Sequence, residues 1–439
     1  MKYPTWSGAA LNTYRQGYGL RFLEDLVLWS RVKLFGWQPE PYFAISLLQN
    51  FLAAVLVFTF AQQLFHRTKI SFLAGLIFVA AFPPTQVVTW ITGSNVSLLA
   101  LFYAGTLVLY IQALRTRRVG WHLAVWACFV LAMFSGEYSI TLFPALVLLT
   151  LVLWRELDLR PWRLALLLLP YSLVLVPYAW YQLLFLGKGT SEGAGLGGYR
   201  LGWQVFDNFT NLVHLLIPDL HFPRVVNTLQ ARFPLGLQIL VLLDPLVKVL
   251  GLAATAIVLI KGSARTQFLM LFIYLAYAPF TLWVRPDIAH SPRYLYLPLI
   301  AFSILLSLFL ARASEWLAGR RLAGKRLGNA AVWLAVLLAM WLGYNAIPIY
   351  IYQAQEVANG QVRRNVIEQI RVLHPQLPAG STVYLELPDK SFRDLEFGVP
   401  QFYTTTFQIV AAPPGVIPAR IKSTDYVLQY QGGRLLEQR

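Results

Sequence analysis

The chain is poor in charged residues and nearly free of cysteine. Only 13% of its 439 residues are Asp, Glu, Lys or Arg, whereas 57% are hydrophobic. An ordinary soluble protein of this length has about twice that share of charged residues. The one cysteine, Cys128, lies in an apolar run, so no disulfide within the chain can hold its exposed parts together. Ordinary soluble domains and disulfide-stapled secreted domains are therefore excluded.

Acidic residues are also scarce, and their scarcity gives the chain a net charge of +16. A charge of this size is common in nucleic-acid-binding proteins when it is concentrated on one face. Here residues 352–439 carry nine Lys or Arg and eight Asp or Glu, so the excess lies in short connections between apolar runs. That distribution is typical of membrane topology. We expect no nucleic-acid partner.

Ten apolar segments are long enough, or nearly so, to cross a bilayer as helices. They predict an all-α polytopic membrane domain over residues 41–351, with some spans broken or short. Pro83-Pro84 interrupts the second segment, and only Ser135-Gly136-Glu137 separates the fourth from the fifth. The segments cover residues 41–64, 70–91, 96–114, 121–134, 138–154, 164–186, 243–260, 267–284, 294–311 and 329–351.

Basic residues occur in alternate connections, which predicts the orientation of the chain in the membrane. One set of connections contains fifteen Lys and Arg and is predicted to be cytoplasmic. The short connections on the other side contain only Arg285 and Arg293. The fifteen are Arg67, Lys69, Arg115, Arg117, Arg118, Arg155, Arg160, Arg163, Lys261, Arg265, Arg312, Arg320, Arg321, Lys325 and Arg326.

This orientation places residues 1–40 and 352–439 outside a plasma or inner membrane. Because residues 1–40 would have to cross without a preceding span, we expect a first spanning helix upstream of Met1; the alternative is that the N-terminus crosses as it is. We expect residues 187–235 to form an external loop with a surface helix over 201–216, whose polar face includes Asn208 and Asn211. Residues 352–439 predict a small α/β domain with a helix over 357–373, a strand from Ser381 and a terminal hairpin from Asp425.

Two external segments carry candidate binding residues. Glu137 lies in a tight turn, where it either binds a ligand or simply solvates the turn. The loop that ends at a predicted span contains Asp287, His290, Arg293 and Tyr294. Arginine and histidine beside an interfacial tyrosine suit a lipid-linked phosphate, although snorkelling towards headgroups explains them equally well. We interpret Asp244-Pro245 as a helix start. No spacing typical of metal ligands is present.

Four stretches of the chain share features with a known family of membrane proteins. In chain order they are FGWQPEPYFAISLLQNFLAA from Phe35, FVAAFPPTQVVTWITGSNVSLLALFYAGTLVLY from Phe78, FSGEYSITLFP from Phe134 and SPRYLYLPLIAFSILL from Ser291. Together they resemble the GT-C superfamily of membrane glycosyltransferases, nearest to the protein O-mannosyltransferase-like branch, and the resemblance covers roughly residues 20–312.

The resemblance implies a sugar donor carried on polyprenyl phosphate, an acceptor that is a protein, lipid or glycan, and an acidic catalytic residue in the first external loop. The chain begins inside what would be that loop, so the resemblance also implies that the first span is missing. Glu24 and Asp25 are weak candidates for the acid, because they lie downstream of its expected position. Two other classes stay open: a lipid or solute transporter or flippase, and a non-catalytic membrane subunit.

Overall fold

The computed structural model describes twelve ranges of the chain, and the account below concerns them alone: 7–8, 20–36, 38–157, 161–187, 202–215, 234–282, 291–322, 325–326, 329–386, 408–412, 424–431 and 433–438. The protein is mostly helical, with a small C-terminal sheet. Two compact units can be distinguished, one of residues up to Ile351 and one of Tyr352–Arg439. The described α-helices are α1 Phe22–Phe35, α2 Pro39–Phe65, α3 Thr68–Ala80, α4 Pro83–Thr89, α5 Ser94–Thr116, α6 Val119–Met133, α7 Leu142–Leu157, α8 Pro161–Gly187, α9 Gln204–Phe209, α10 Pro234–Lys261, α11 Ala264–Thr281, α12 Tyr296–Gly319 and α13 Ala330–Leu373.

Long apolar helices form where the sequence predicts spans. Within the described residues, six helices are long and apolar enough to cross a membrane, or seven if the bent pair α3 and α4 is one span. The remaining three predicted segments are also helical, as α6, α10 and α11. The helical character of the chain is thus confirmed, and several helices have the length and apolar composition that a membrane span requires, while the number ten stays a prediction.

The span predicted to be broken is bent by 55° between α3 and α4, at Pro83-Pro84. Proline has no amide hydrogen and disfavours helix geometry in the residue before it, so the ladder of backbone hydrogen bonds is interrupted here. The amide of Phe82 donates instead to Asn345 Oδ1, 3.0 Å away in α13. A side chain of α13 therefore accepts the hydrogen bond of a backbone amide at the bend.

Two local predictions were wrong. Asp244-Pro245 does not start a helix, because α10 already begins at Pro234 and Pro245 lies in its interior. Asn208 and Asn211 were expected on the solvent face of a surface helix, yet both are buried. Their amides donate to Thr281 O and to Tyr277 Oη of α11, each at 2.9 Å. Hydrogen-bond partners on a neighbouring helix make burial of the amides more favourable than their exposure.

The core of the helical unit contains tyrosines whose hydroxyl groups are paired. Tyr110 and Thr150 share a hydrogen bond of 2.7 Å, and Tyr296 donates to Asn50 Oδ1 at 2.6 Å. Both tyrosines are fully buried. A buried hydroxyl without a partner costs roughly 1–3 kcal/mol, so each tyrosine contributes packing area without that penalty.

The C-terminal unit contains four strands, after a short hairpin of β1 Arg321–Leu322 and β2 Lys325–Arg326 that precedes the last long helix. The four strands are β3 Thr382–Glu386, β4 Gln408–Ala412, β5 Tyr426–Gln431 and β6 Arg434–Glu437. Their order in the sheet is β4-β3-β5-β6, with β3 parallel to both of its neighbours and β5 antiparallel to β6. A strand from Ser381 and a terminal hairpin from Asp425 were predicted here. The helix predicted over 357–373 is not separate, because it is the last part of the long helix α13.

Candidate functional site

Helix α1 is fixed at its start to the turn that follows α6. The amide of Leu23 donates to Phe134 O at 3.0 Å, and the rings of Phe22 and Phe134 lie 5.8 Å apart. Glu24 and Asp25 lie in the first turn of the helix, where the helix dipole favours carboxylates. The helix ends at Gly36, whose φ of +57° few other residues adopt without strain. The first turn of α1 is thereby held beside Glu137.

Arg21 joins two carboxylates at this point. Its guanidinium donates to both carboxylate oxygens of Glu137, from Nε at 2.8 Å and from Nη2 at 2.5 Å. Its Nη1 lies 3.6 Å from Oε2 of Glu24. All three side chains are about four-fifths buried, so water screens their charges only weakly. Two acids share one cation, which leaves the cluster with a net negative charge when both are ionised.

Glu24 lies farther from the Arg21 guanidinium than Glu137 does, and its pKa is shifted. Burial raises the pKa of Glu24 to about 7, and the neighbouring carboxylates of Glu137 and Asp25 add to the rise while Arg21 opposes it. Beside it lies a cavity of about 10 Å³ lined by Glu24, Ser94 and Asn95, among others. A space of that size accommodates about one water molecule. Glu24 is therefore a carboxyl group that exchanges a proton near neutral pH.

Arg31 lies two helical turns further along the same face of α1 and is also buried, with 3% of its surface exposed. Its Nη1 donates to Ser94 Oγ at 2.9 Å. Among the described residues, its Nε and Nη2 have no hydrogen-bond acceptor and its charge has no carboxylate partner. Burying a charged guanidinium costs free energy unless an anion pairs with it and accepts its hydrogen bonds. Arg31 is thus suited to hold a phosphate oxygen.

A second group of candidate residues lies around Arg293. Its guanidinium carbon lies 4.3 Å from the ring centre of Trp90 and 4.8 Å from that of Tyr294, and its Nη2 donates to Tyr294 Oη at 2.9 Å. Gln86 of the bent helix α4 accepts from the Arg293 amide and from Ser291. The side chain is consequently fixed by ring stacking, which free snorkelling does not require.

Aromatic rings connect the Arg293 group to the turn of Glu137. The ring of Tyr138 lies 4.2 Å from that of Phe280 and 5.9 Å from that of Tyr294. Phe280 and Tyr294 stack at 4.2 Å. These three rings are buried at the end of α11 that also carries Thr281. Glu137 and Arg293 therefore belong to the same end of the helical unit.

The structure brings several sequence candidates together. Glu24 and Glu137 share the Arg21 cluster, Asp25 lies next to Glu24 in the same helical turn, and Arg293 and Tyr294 join the cluster through Tyr138. Asp287 and His290 lie outside the described residues. The sequence interpretation assigned no role to Arg21 or Arg31.

In the described ranges, no group of three or more His, Cys, Asp or Glu side chains is placed to hold a metal ion. Comparison with protein-family models and with curated proteins gives no match.

Proposed function

We propose that the protein is a membrane glycosyltransferase that moves a sugar from a polyprenyl-phosphate donor to an acceptor hydroxyl or amide. The observation that carries the proposal is the placement of Glu24 and Arg31 on one face of α1, seven residues apart. Glu24 is largely buried beside a small cavity that Ser94 and Asn95 also line, and Arg31 is buried and donates to Ser94. A buried carboxyl group whose pKa is near 7 and a buried guanidinium that lacks an anion are the two groups that such a transfer needs.

Each group has a defined task in the reaction. The carboxylate of Glu24 accepts the proton of the acceptor group while the acceptor oxygen or nitrogen forms a bond to the anomeric carbon of the sugar. The bond from that carbon to the phosphate oxygen breaks, and its electron pair leaves with the polyprenyl phosphate. Arginine donors stabilise the charge that develops on the departing phosphate. Arg31 can supply its Nε and Nη2 groups, which have no acceptor among the described residues, and Arg21 holds Glu137 and Glu24 in place.

The four stretches that resemble GT-C enzymes support this proposal, as does the predicted orientation. Three of the stretches, from Phe78, Phe134 and Ser291, supply the bent helix pair, the turn of Glu137 and the Arg293 segment, which meet at one end of the helical unit. The basic connections lie towards the other end of the same helices, so we propose that the site opens on the non-cytoplasmic side. Lipids carrying a sugar would reach it from the membrane.

Transfer can be tested with the purified full chain in nanodiscs and a panel of radiolabelled short-chain polyprenyl-phosphate hexoses, by measuring loss of label from the donor. We expect Glu24→Gln to reduce turnover by roughly 100-fold or more, the usual contribution of a general base. Glu40→Gln is the matched control, because Glu40 is exposed at the start of α2. Wild-type turnover should rise with pH through about 7, as Glu24 ionises. Equal turnover in Glu24→Gln and wild type, or no binding of any donor, would refute the proposal.

The bent pair α3 and α4 favours a second candidate, a flippase or transporter, because interrupted helices often line transport pathways. The two functions differ in what happens to the bond between sugar and phosphate. A fluorescent lipid-linked sugar that crosses the bilayer of vesicles with this bond intact indicates transport. Cleavage of the bond indicates transfer.

A further inference from the structure

A second cavity lies at the opposite end of the helical unit, where several helices begin or end. It has a volume of about 370 Å³, and its lining includes Phe65, Arg67, Glu156, Arg265, Leu308 and Arg312. Arg265 and Phe280 are fifteen residues apart in α11, a separation of roughly 22 Å at the rise of a helix. The cavity is therefore separate from the Glu24 cluster.

Three arginines and one glutamate give the lining an excess of positive charge. Arg265 is paired with Glu156, with Nη2 2.6 Å from Oε1. In the part of the chain that the structure describes, Arg67 and Arg312 have no acidic partner. Both are exposed. Arg67 lies in the connection before α3, and Arg312 lies in α12. Two unpaired guanidinium groups beside one cavity favour an anion with at least one full charge.

The start of α11 adds donors to the same cavity. Ser263 is the N-cap, and its side chain accepts from the amide of Thr266 at 3.4 Å. The first amides of a helix otherwise have no acceptor within the helix, and its dipole is positive at this end. Ser263, Ala264 and Thr266 all line the cavity. The backbone and the arginines therefore favour negative charge at one place.

Apolar residues on the lining indicate the source of that charge. Leu308 is 8% exposed and Phe65 is half-buried, and both line the cavity beside the arginines. A cavity with basic and apolar walls at the end of membrane-spanning helices matches a phospholipid, which carries phosphate and hydrocarbon together.

We propose that this cavity binds the phosphate of an anionic phospholipid headgroup. The guanidinium groups of Arg67 and Arg312 hold the phosphate oxygens, the start of α11 donates from the backbone, and Phe65 and Leu308 contact the glycerol end of the acyl chains. The proposal does not depend on glycosyl transfer, since the two sites lie at opposite ends of the helices.

Lipid retention by the full chain provides the test. The protein is reconstituted in nanodiscs that contain either phosphatidylcholine alone or phosphatidylcholine with phosphatidylglycerol, then released and examined by native mass spectrometry. The double variant R67Q/R312Q should retain anionic lipid about tenfold less than wild type, since it loses two charged donors. The matched control K69Q/R320Q removes the same charge from two exposed residues that do not line the cavity, and it should stay within about twofold of wild type.

A variant that is expected to increase lipid retention controls for loss of lipid binding through misfolding. Glu156→Gln removes the acidic partner of Arg265 and should increase retention of anionic lipid several-fold. Inorganic phosphate at millimolar concentration should not compete, because it lacks the apolar part. The proposal is overturned if both double variants lose lipid equally, if R67Q/R312Q binds as wild type does, if Glu156→Gln fails to increase retention, or if phosphate alone displaces the lipid.

Discussion

The ring of Tyr138 lies 5.9 Å from that of Tyr294, although 155 residues separate them in the sequence. This contact brings the turn that carries Glu137 beside the segment that carries Arg293. Neither segment forms a site by itself, since one supplies a single carboxylate bound by Arg21 and the other a guanidinium stacked on Trp90.

The first prediction concerns the ion pair of Arg21 and Glu137. Arg21→Met should destabilise the protein because it leaves a largely buried carboxylate without its cation. The double variant Arg21→Met/Glu137→Gln should cost less than the sum of the single changes, with a coupling free energy of about 1–3 kcal/mol. Unfolding of the four proteins by denaturant in micelles measures it. Additive effects would show that the pair contributes nothing beyond its separate residues.

The second prediction concerns the proton of Glu24. Its pKa rises from 4.5 to about 7 on folding, because burial disfavours the charged form, so the folded state binds the proton more tightly than the unfolded state. Stability from this group is therefore complete below pH 4.5 and is lost as pH rises to about 7. The loss amounts to roughly 3 kcal/mol at 1.36 kcal/mol per pKa unit.

Glutamine resembles the protonated acid and does not titrate, so Glu24→Gln isolates this contribution. The difference in unfolding free energy between Glu24→Gln and wild type should grow between pH 4.5 and 7 and stay constant above that range. A difference that is independent of pH would contradict the raised pKa.

The third prediction concerns Arg293. Its guanidinium stacks on the ring of Trp90 and donates to the hydroxyl of Tyr294, and the compact ammonium of lysine cannot reproduce both contacts. Arg293→Lys should weaken the binding of a lipid-linked sugar nearly as much as Arg293→Ala, by roughly 1.5–3 kcal/mol. Titration with a fluorescent donor measures both variants. Wild-type affinity in Arg293→Lys would remove this residue from the site.

The fourth prediction concerns Asn345, which accepts the amide of Phe82 at the helix break. Asn345→Leu keeps a similar volume but removes the acceptor of this hydrogen bond, at a cost of about 0.5–1.5 kcal/mol. Ser303→Ala is the control, since the Ser303 hydroxyl bonds only a carbonyl of its own helix. Thermal unfolding of both variants tests the difference. Comparable melting temperatures would show that another group satisfies the break.

The fifth prediction concerns sidedness. Because the basic connection over residues 312–328 is expected to stay in the cytoplasm, the end of the chain should lie on the other side. A reporter that is active only in the cytoplasm should be silent after Arg439. Strong activity at that position would reverse the predicted orientation of every span.

The sequence predicts the helices well because a chain in lipid must satisfy its backbone within each segment. Apolar length and the position of Pro83-Pro84 therefore suffice to locate the long apolar helices and the bend. The same reasoning fails for Asp244-Pro245, since a proline in the interior of a long apolar helix leaves the same local pattern as one at a helix start.

The candidate site is less visible in the sequence, because its contacts join residues far apart in the chain. Glu137 looks like a lone acid until Arg21, 116 residues earlier, is placed beside it. Arg31 looks like one of several N-terminal charges, and only the structure shows that it is buried and donates to Ser94. A usable signal existed: Glu24 and Arg31 are seven residues apart, a spacing that places both on one face of a helix.

The bond between Phe82 and Asn345 also has a consequence for how the protein is made. A chain leaves the ribosome N-terminus first at about 5–20 residues per second, so the 263 residues that follow Phe82, up to and including Asn345, take roughly 13 to 50 s to synthesise. Throughout that interval the Phe82 amide is without its acceptor on Asn345. This contact between the bend and the last long helix can therefore form only after most of the helical unit has been translated.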